Sequence, residues 1–283
     1  MTQGSVFQSV RARRKMGHAA LYVALSLVAV TMLVPFLWML SGSLMTEADI
    51  LQSNWSLPNP PMWSNYREVV TRIPFMNFYW NTAKITVVST IIQLVVCSLA
   101  AYAFARLEFR GRDLLFLVYL STMMIPSQVT MIPQYVLMSR FGLINTHTAL
   151  IILRATSVFG IFMLRQFFLQ LPMALSESAR IDGCGEFRIF LQIVLPLSKA
   201  VIATLTVFSF LGAWNDFMTP LIYLTTKERY TLQIGIRYFQ QQYGTEYTLI
   251  MAATTMSLIP IVILYLFCQR YFIAGIATTG IKG

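Results

Sequence analysis

Residues 171–196 read LPMALSESARIDGCGEFRIFLQIVLP and lie between two apolar runs, yet they are both charged and helical in pattern. Glu177, Arg180, Asp182, Glu186 and Arg188 sit among Leu175, Ala179, Ile181, Phe187, Phe190, Leu191 and Val194. The apolar positions recur every three or four residues, as an amphipathic helix requires. Gly183-Cys184-Gly185 divides the stretch into two short helices, because glycine suits a sharp turn and costs about 1 kcal/mol inside a helix. Pro196 is expected to stop the second helix, since a proline pushes the preceding residue out of the α region. Two short amphipathic helices with a glycine corner, wedged between apolar runs, have the form of a docking element.

Composition explains why such an element lies between apolar runs. Of 283 residues, 57% are apolar and 11% charged, under half the charged share of a soluble domain, which is roughly a quarter. No single water-soluble core can hide that much apolar surface, so the chain reads as an integral membrane protein. Cys97, Cys184 and Cys268 have neither metal nor disulfide spacing, and His18 and His147 are too few and too far apart for a metal site. The formal charge of +10 reads as the lysine and arginine excess that orients a membrane protein, not as a nucleic-acid footprint.

Six apolar runs follow one another, at about 18–40, 83–105, 114–137, 148–168, 199–224 and 248–269. The first is long enough to cross a hydrocarbon core of about 30 Å, and it reads as an uncleaved span because it is too long for a signal peptide. The polar segment 41–81 carries Pro58-Asn59-Pro60-Pro61 and the aromatics Trp55, Trp63, Tyr66, Phe78, Tyr79 and Trp80, which suit a membrane–water interface. Its second half, 63–73, is expected to form a short surface helix. With the N-terminus inside, the inner segments hold Arg11, Arg13, Arg14, Lys15, Arg106, Arg110, Arg112, Arg165, Arg180, Arg188, Lys199, Arg270 and Lys282. The outer ones hold Arg67, Arg72, Lys84, Arg140, Lys227, Arg229 and Arg237, and Arg154 lies within the fourth run. That is thirteen inside against seven outside, so the bias puts both termini in the cytoplasm and makes 171–196 a cytoplasmic loop. The turn 105–113, ARLEFRGRD, reads as an orientation signal.

Glu177-Ser178-Ala179, Asp182-Gly183 and Ile193-Val194-Leu195-Pro196 resemble the EAA loop of binding-protein-dependent ABC importer permeases. Ser178 stands where that family usually has alanine, and both are small. The resemblance implies an all-α membrane protein of six transmembrane helices with a cytoplasmic coupling-helix loop. It implies a cytoplasmic segment 1–17, a permease domain 18–273 and a cytoplasmic tail 274–283. In that family the loop fits a groove on the ATPase subunit, which implies coupling roles for Glu177, Ser178, Ala179, Asp182, Gly183, Leu195 and Pro196. Implied partners are a second homologous permease, two ATPase subunits and an extracytoplasmic sugar-binding protein, in the cytoplasmic membrane of a bacterial or archaeal cell. ATP and magnesium would sit on the partners, and this chain would hold no cofactor of its own.

Features inside the runs add candidates. The third run carries MMIPSQVTMIP, whose Pro126 and Pro133 predict a helix kinked or locally broken, with Ser127 and Gln128 as polar partners at the break. That helix either lines the translocation path or is bent for packing. The fifth run carries Trp214-Asn215-Asp216, and an ionisable group within a span faces a cavity or a partner. Asn215 and Asp216 have the chemistry to hydrogen-bond sugar hydroxyls and Trp214 to stack on a sugar face. The alternative is a structural polar pair with Arg154 opposite. The element is similar to the WND or WNE element of carbohydrate permeases, which implies a sugar or oligosaccharide as solute. In the outer loop 225–247, Tyr238, Gln240, Gln241 and Tyr243 suit an adaptable contact, and the resemblance implies the binding protein as that partner.

No G-x-x-x-x-G-K-[ST] occurs and no glycine is followed by lysine, so the chain carries no Walker phosphate cradle. H-E-x-x-H and G-x-S-x-G are also absent, which argues against an intramembrane enzyme. Two alternatives stay open on the sequence. One is an ABC permease for a non-sugar solute. The other is a stand-alone secondary transporter, which requires paired intramembrane charges and an inverted repeat.

Overall fold

The computed structural model describes the backbone of residues 3–52, 58–241 and 244–279, and the side chains of 17–52, 58–240 and 244–271. Helix α1 is Gln3–Gly42, followed by α2 Glu47–Leu51, α3 Ser64–Arg72 and α4 Phe75–Arg106. Next come α5 Arg112–Ser121, α6 Ser127–Arg140, α7 His147–Leu153, α8 Val158–Gln170, α9 Met173–Ile181 and α10 Glu186–Ile189. A π turn, Phe190–Val194, leads into α11 Leu195–Leu197 and then α12 Lys199–Trp214, α13 Met218–Tyr223 and α14 Leu232–Arg237. A two-stranded hairpin, β1 Gln240–Gln241 and β2 Gly244–Thr245, precedes α15 Tyr247–Thr279.

Among the described residues three helical stretches are long and apolar enough to cross a membrane: 17–42, 75–106 and 247–271. Three further stretches qualify only as bent pairs. They are α5 with the 3-10 turn Thr122–Met124 and α6, bent by 101°; α7 with α8, bent by 43°; and the 186–197 segment with α12, bent by 83°. The total reaches six if each pair counts as one span.

The chain divides into two units. The first comprises residues 1–71 and 239–256. Within it, Thr46 and Asp49 form a capping box at α2, and the Glu47 carboxylate accepts from the Tyr247 and Thr248 amides, neutralising the start of α15. Asn65 on α3 donates to the carbonyls of Ser43 and Met45 and fixes the end of α1. Helix α3 covers the surface helix expected over 63–73, whereas Trp55 lies outside the described residues.

The second unit, 72–238 with 257–283, holds the main core. Cys97, Ala101 and Tyr102 of α4 pack with Ile161, Leu164 and Phe168 of α8, and Val201 and Leu205 of α12 close the cluster. Gly160 makes that contact close: a Cβ there would stand 2.9 Å from Leu205 Cδ1 and 3.3 Å from Cys97 Sγ. Small residues at helix crossings serve apolar bundles in this way.

One expectation about proline needs correction and another is met. Pro196 does not stop the second short helix, which runs through Leu195–Leu197 and turns only at Ser198. The π turn makes this possible: Leu195 N–H bonds to the Phe190 carbonyl five residues back, and the wider turn accommodates the missing proline donor. The third run is locally broken, as its prolines predict. Pro126 ends one segment and begins another at 101°, while Pro133 sits inside α6 without breaking it. At the C-terminal end, α15 continues as far as Thr279, and Lys282 lies outside the described residues.

Candidate functional site

Helix α9 and its glycine corner form the first site. Gly183 has φ of 80°, a left-handed conformation that costs an L-residue roughly 1–2 kcal/mol. There it closes a Schellman motif: the Gly183 amide donates to the Arg180 carbonyl at 3.0 Å and the Cys184 amide to the Ala179 carbonyl at 2.9 Å. Ser176 and Ala179 are buried against the core, while Glu177, Ser178, Asp182 and Gly183 are exposed and Ile181 is 87% exposed. The corner therefore ends α9 sharply and leaves one face outward. Leu195 is half-buried and Pro196 exposed, with Leu195 packed on the same core as Cys184 and Ile193.

An ion pair braces the corner. Arg180 Nε lies 2.7 Å from Glu186 Oε1, and this hydrogen bond raises the Arg180 guanidinium above its ordinary value. Glu186 Oε2 accepts from the Tyr102 hydroxyl of α4 at 2.7 Å. On the other side of α9, Arg106 Nη2 donates to the carbonyls of Phe168 at 2.5 Å and Leu171 at 2.7 Å. Arg106 belongs to the 105–113 stretch read as an orientation signal, yet it is the last residue of α4 and only 3% exposed. Its guanidinium shares the Phe168 carbonyl with the Leu171 amide and takes the Leu171 carbonyl just past the C-terminal end of α8.

Trp214-Asn215-Asp216 forms the second site, and it lies at a helix break. Helix α12 ends at Trp214 and α13 begins at Met218. Asp216 Oδ1 accepts from the Thr219 amide at 3.1 Å, capping α13, and Oδ2 meets Arg154 Nη2 at 2.8 Å. Arg154 stands at the matching break between α7 and α8. The carbonyls of Arg154 and Thr156 receive Gln93 Nε2 of α4 at 2.9 and 3.3 Å, and Tyr119 of α5 pairs with the Thr156 hydroxyl at 2.9 Å. Ser157 caps α8 through the Gly160 amide. The structural pairing of Asp216 with Arg154 is thus realised.

Trp214 is 1% exposed. Its indole donates to Ser257 at 3.1 Å, stacks on Phe210 at 5.6 Å and takes the edge of Tyr79 at 5.4 Å. No face is left for a ligand in this conformation. Asn215 is exposed, its amide oxygen 3.4 Å from Gln233 Nε2. Gln128 is exposed beside Ser127 at the start of α6.

Tyr238 is 43% exposed and lies near Tyr230 and Lys227. Gln240 is exposed, Gln241 stands in β1, and Tyr243 lies outside the described residues. Sequence reading missed Gln93, Tyr102 and Arg106, because an isolated polar residue on an apolar helix does not say which backbone group it meets. Thr156-Ser157 ahead of an apolar run was the available signal for the α8 break.

Residues 93–278 match the family described as binding-protein-dependent transport system inner membrane component. The arabinooligosaccharides transport system permease protein AraQ of Halalkalibacterium halodurans is 33% identical, the match covering 93% of this chain and 96% of that protein. The lactose transport system permease protein LacG of Rhizobium radiobacter is 31% identical over 93% and 96%. The crystal structure of a bacterial ABC transporter involved in the import of the acidic polysaccharide alginate superposes with a TM-score of 0.80 at 26% identity, covering 91% of this chain and 97% of that one. The chain belongs to the family of binding-protein-dependent transport system inner membrane components: it is an ABC transporter permease subunit and not an enzyme.

Proposed function

We propose that this permease carries a sugar or oligosaccharide into the cell, working with a second homologous permease, two ATPase subunits and an extracytoplasmic binding protein. Both termini lie in the cytoplasm, and the bent helix pairs each count as one span, giving six. ATP and magnesium bind the partner ATPases, whose closure pushes residues 171–196. The two permeases then rock between inward-open and outward-open states. Glu177, Ser178, Asp182, Gly183 and the exposed Pro196 face the ATPase, while Ala179 and Leu195 seat the loop on the membrane helices. Asn215, Asp216 and Gln128 border the solute path, Trp214 supports it from behind, and Tyr238, Gln240, Gln241 and Tyr243 meet the binding protein.

The observation that carries this reading is α9. Its buried Ala179 side and left-handed Gly183 cap leave Glu177, Ser178, Ile181 and Asp182 outward on one short, sharply ended helix. An exposed isoleucine flanked by acidic side chains suits insertion into a protein groove. Sugar as the solute is supported by relatives named for arabinooligosaccharide and lactose transport. The test is purification of the tagged chain in mild detergent, with mass spectrometry of co-purifying proteins and an ATPase assay. Recovery of a second permease and a Walker-containing ATPase is expected. A chain that purifies alone and moves solute on a proton or sodium gradient would overturn the reading.

A further inference from the structure

We infer that Tyr102 and Arg106 of α4 are the positioning residues through which movement of the 171–196 loop reaches the membrane helices, an inference that rests on the coupling role proposed above for that loop. The two lie four residues apart, on one face of the helix. Arg106 holds the Phe168 and Leu171 carbonyls at the entry to α9, and Tyr102 holds Glu186 just past its exit. Helix α9 is therefore gripped on both flanks by one neighbouring helix. Glu186 is in turn tied back to α9 by Arg180, so the glycine corner moves with the grip.

The covalent connections of the loop are the softer route. On one side the chain leaves helical geometry at Leu171-Pro172, and on the other it turns by 83° at Ser198. A push on α9 is absorbed at those joints. Helix α4 has no such joint: its 32 residues contain neither glycine nor proline and span about 48 Å at 1.5 Å per residue. Further along it, Gln93 holds the carbonyls of the α7–α8 break, and Tyr79 meets Trp214 beside the α12–α13 break. Displacing the Tyr102 end moves both breaks together, the kind of rigid element through which coupling between distant sites is carried.

The test uses the complex assembled with its partner permease and ATPase subunits. The three native cysteines are replaced by serine, and a reporter Met218→Cys is placed on the exposed side of α13. The probe is a charged maleimide, applied without nucleotide and with ATP plus vanadate. In the parent complex the alkylation rate is expected to change about fivefold or more between the two states. Tyr102→Phe keeps the ring against Phe190, 5.2 Å between centroids, and removes only the hydroxyl. It should cut that change to about twofold or less while the ATPase still co-purifies in full yield. Glu186→Gln has one acceptor oxygen, enough for Tyr102 or Arg180 but not both, so it should lose much of the response, as Glu186→Ala does. A full response in Tyr102→Phe, or in Glu186→Ala, would overturn the relay. Absence of the ATPase from the parent complex would overturn the coupling role itself.

Discussion

Helix α4 and the interrupted helices packed around it differ in where their backbone hydrogen bonds go. Helix α4 satisfies its own backbone along an uninterrupted 32 residues. Its polar side chains are therefore free to serve others: Asn77 and Asn81 donate to the Glu228 carbonyl, Thr82 accepts from the Leu232 amide, and Gln93 donates to the α7–α8 break. The pairs α7–α8 and α12–α13 do the reverse. Each break exposes amides and carbonyls in an apolar setting, where an unpaired group is costly, and each is repaired by a side chain: Ser157 on Gly160, Asp216 on Thr219. The α7–α8 break takes in addition a donor from the intact helix beside it, Gln93.

Giving α4 a break of its own should have the largest effect. Ile91→Pro falls at an exposed position of that helix, so little packing is lost, yet one backbone bond disappears and the ring crowds the preceding turn. A loss of about 3 kcal/mol or more is expected, seen as a large drop in melting temperature and in yield of folded chain from detergent. Proline at exposed Val129 in α6, a helix that already tolerates Pro133, should do less.

Next comes the clamp between the two breaks. Arg154 and Asp216 side chains are 27% and 12% exposed, so part of the charge is screened. Arg154→Ala or Asp216→Ala alone should each cost about 1–3 kcal/mol by leaving a partner charge unmatched. The double variant should cost less than the sum, and a double-mutant cycle on thermal unfolding measures the difference. Strict additivity would mean that the breaks are not held together by this pair. The smallest effect expected is that of Ser157→Ala, about 1 kcal/mol for a lost helix cap. It should raise amide exchange at Gly160 while leaving α4 protected.

The loop was legible because its signal is local. Amphipathic spacing, a glycine pair and five charges placed α9 and its corner, and only the fate of Pro196 was misjudged, because a π turn registers in hydrogen bonding and not in residue pattern. The breaks were less legible. Asp216 stood out as a carboxylate in an apolar run, and its pairing with Arg154 followed from there being one arginine in a run nearby. That Trp214-Asn215-Asp216 ends a helix instead of lying within one depends on Arg154 and Thr219 meeting it from elsewhere in sequence. Arg106 was hidden for a related reason: among the arginines of 106–112 nothing local distinguishes the buried one from its solvated neighbours. Its partners are carbonyls at one end of another helix, 62 and 65 residues on.

The central claim is that the glycine-capped loop couples ATP hydrolysis to movement of the membrane helices. Gly183→Pro tests it most directly, because proline's φ near −65° cannot adopt the 80° that Gly183 requires, while the membrane helices are left untouched. The measurement is uptake of the radiolabelled sugar selected by the binding protein, with membrane-inserted chain quantified in parallel. The account predicts uptake abolished with insertion intact. Normal uptake by Gly183→Pro would contradict it.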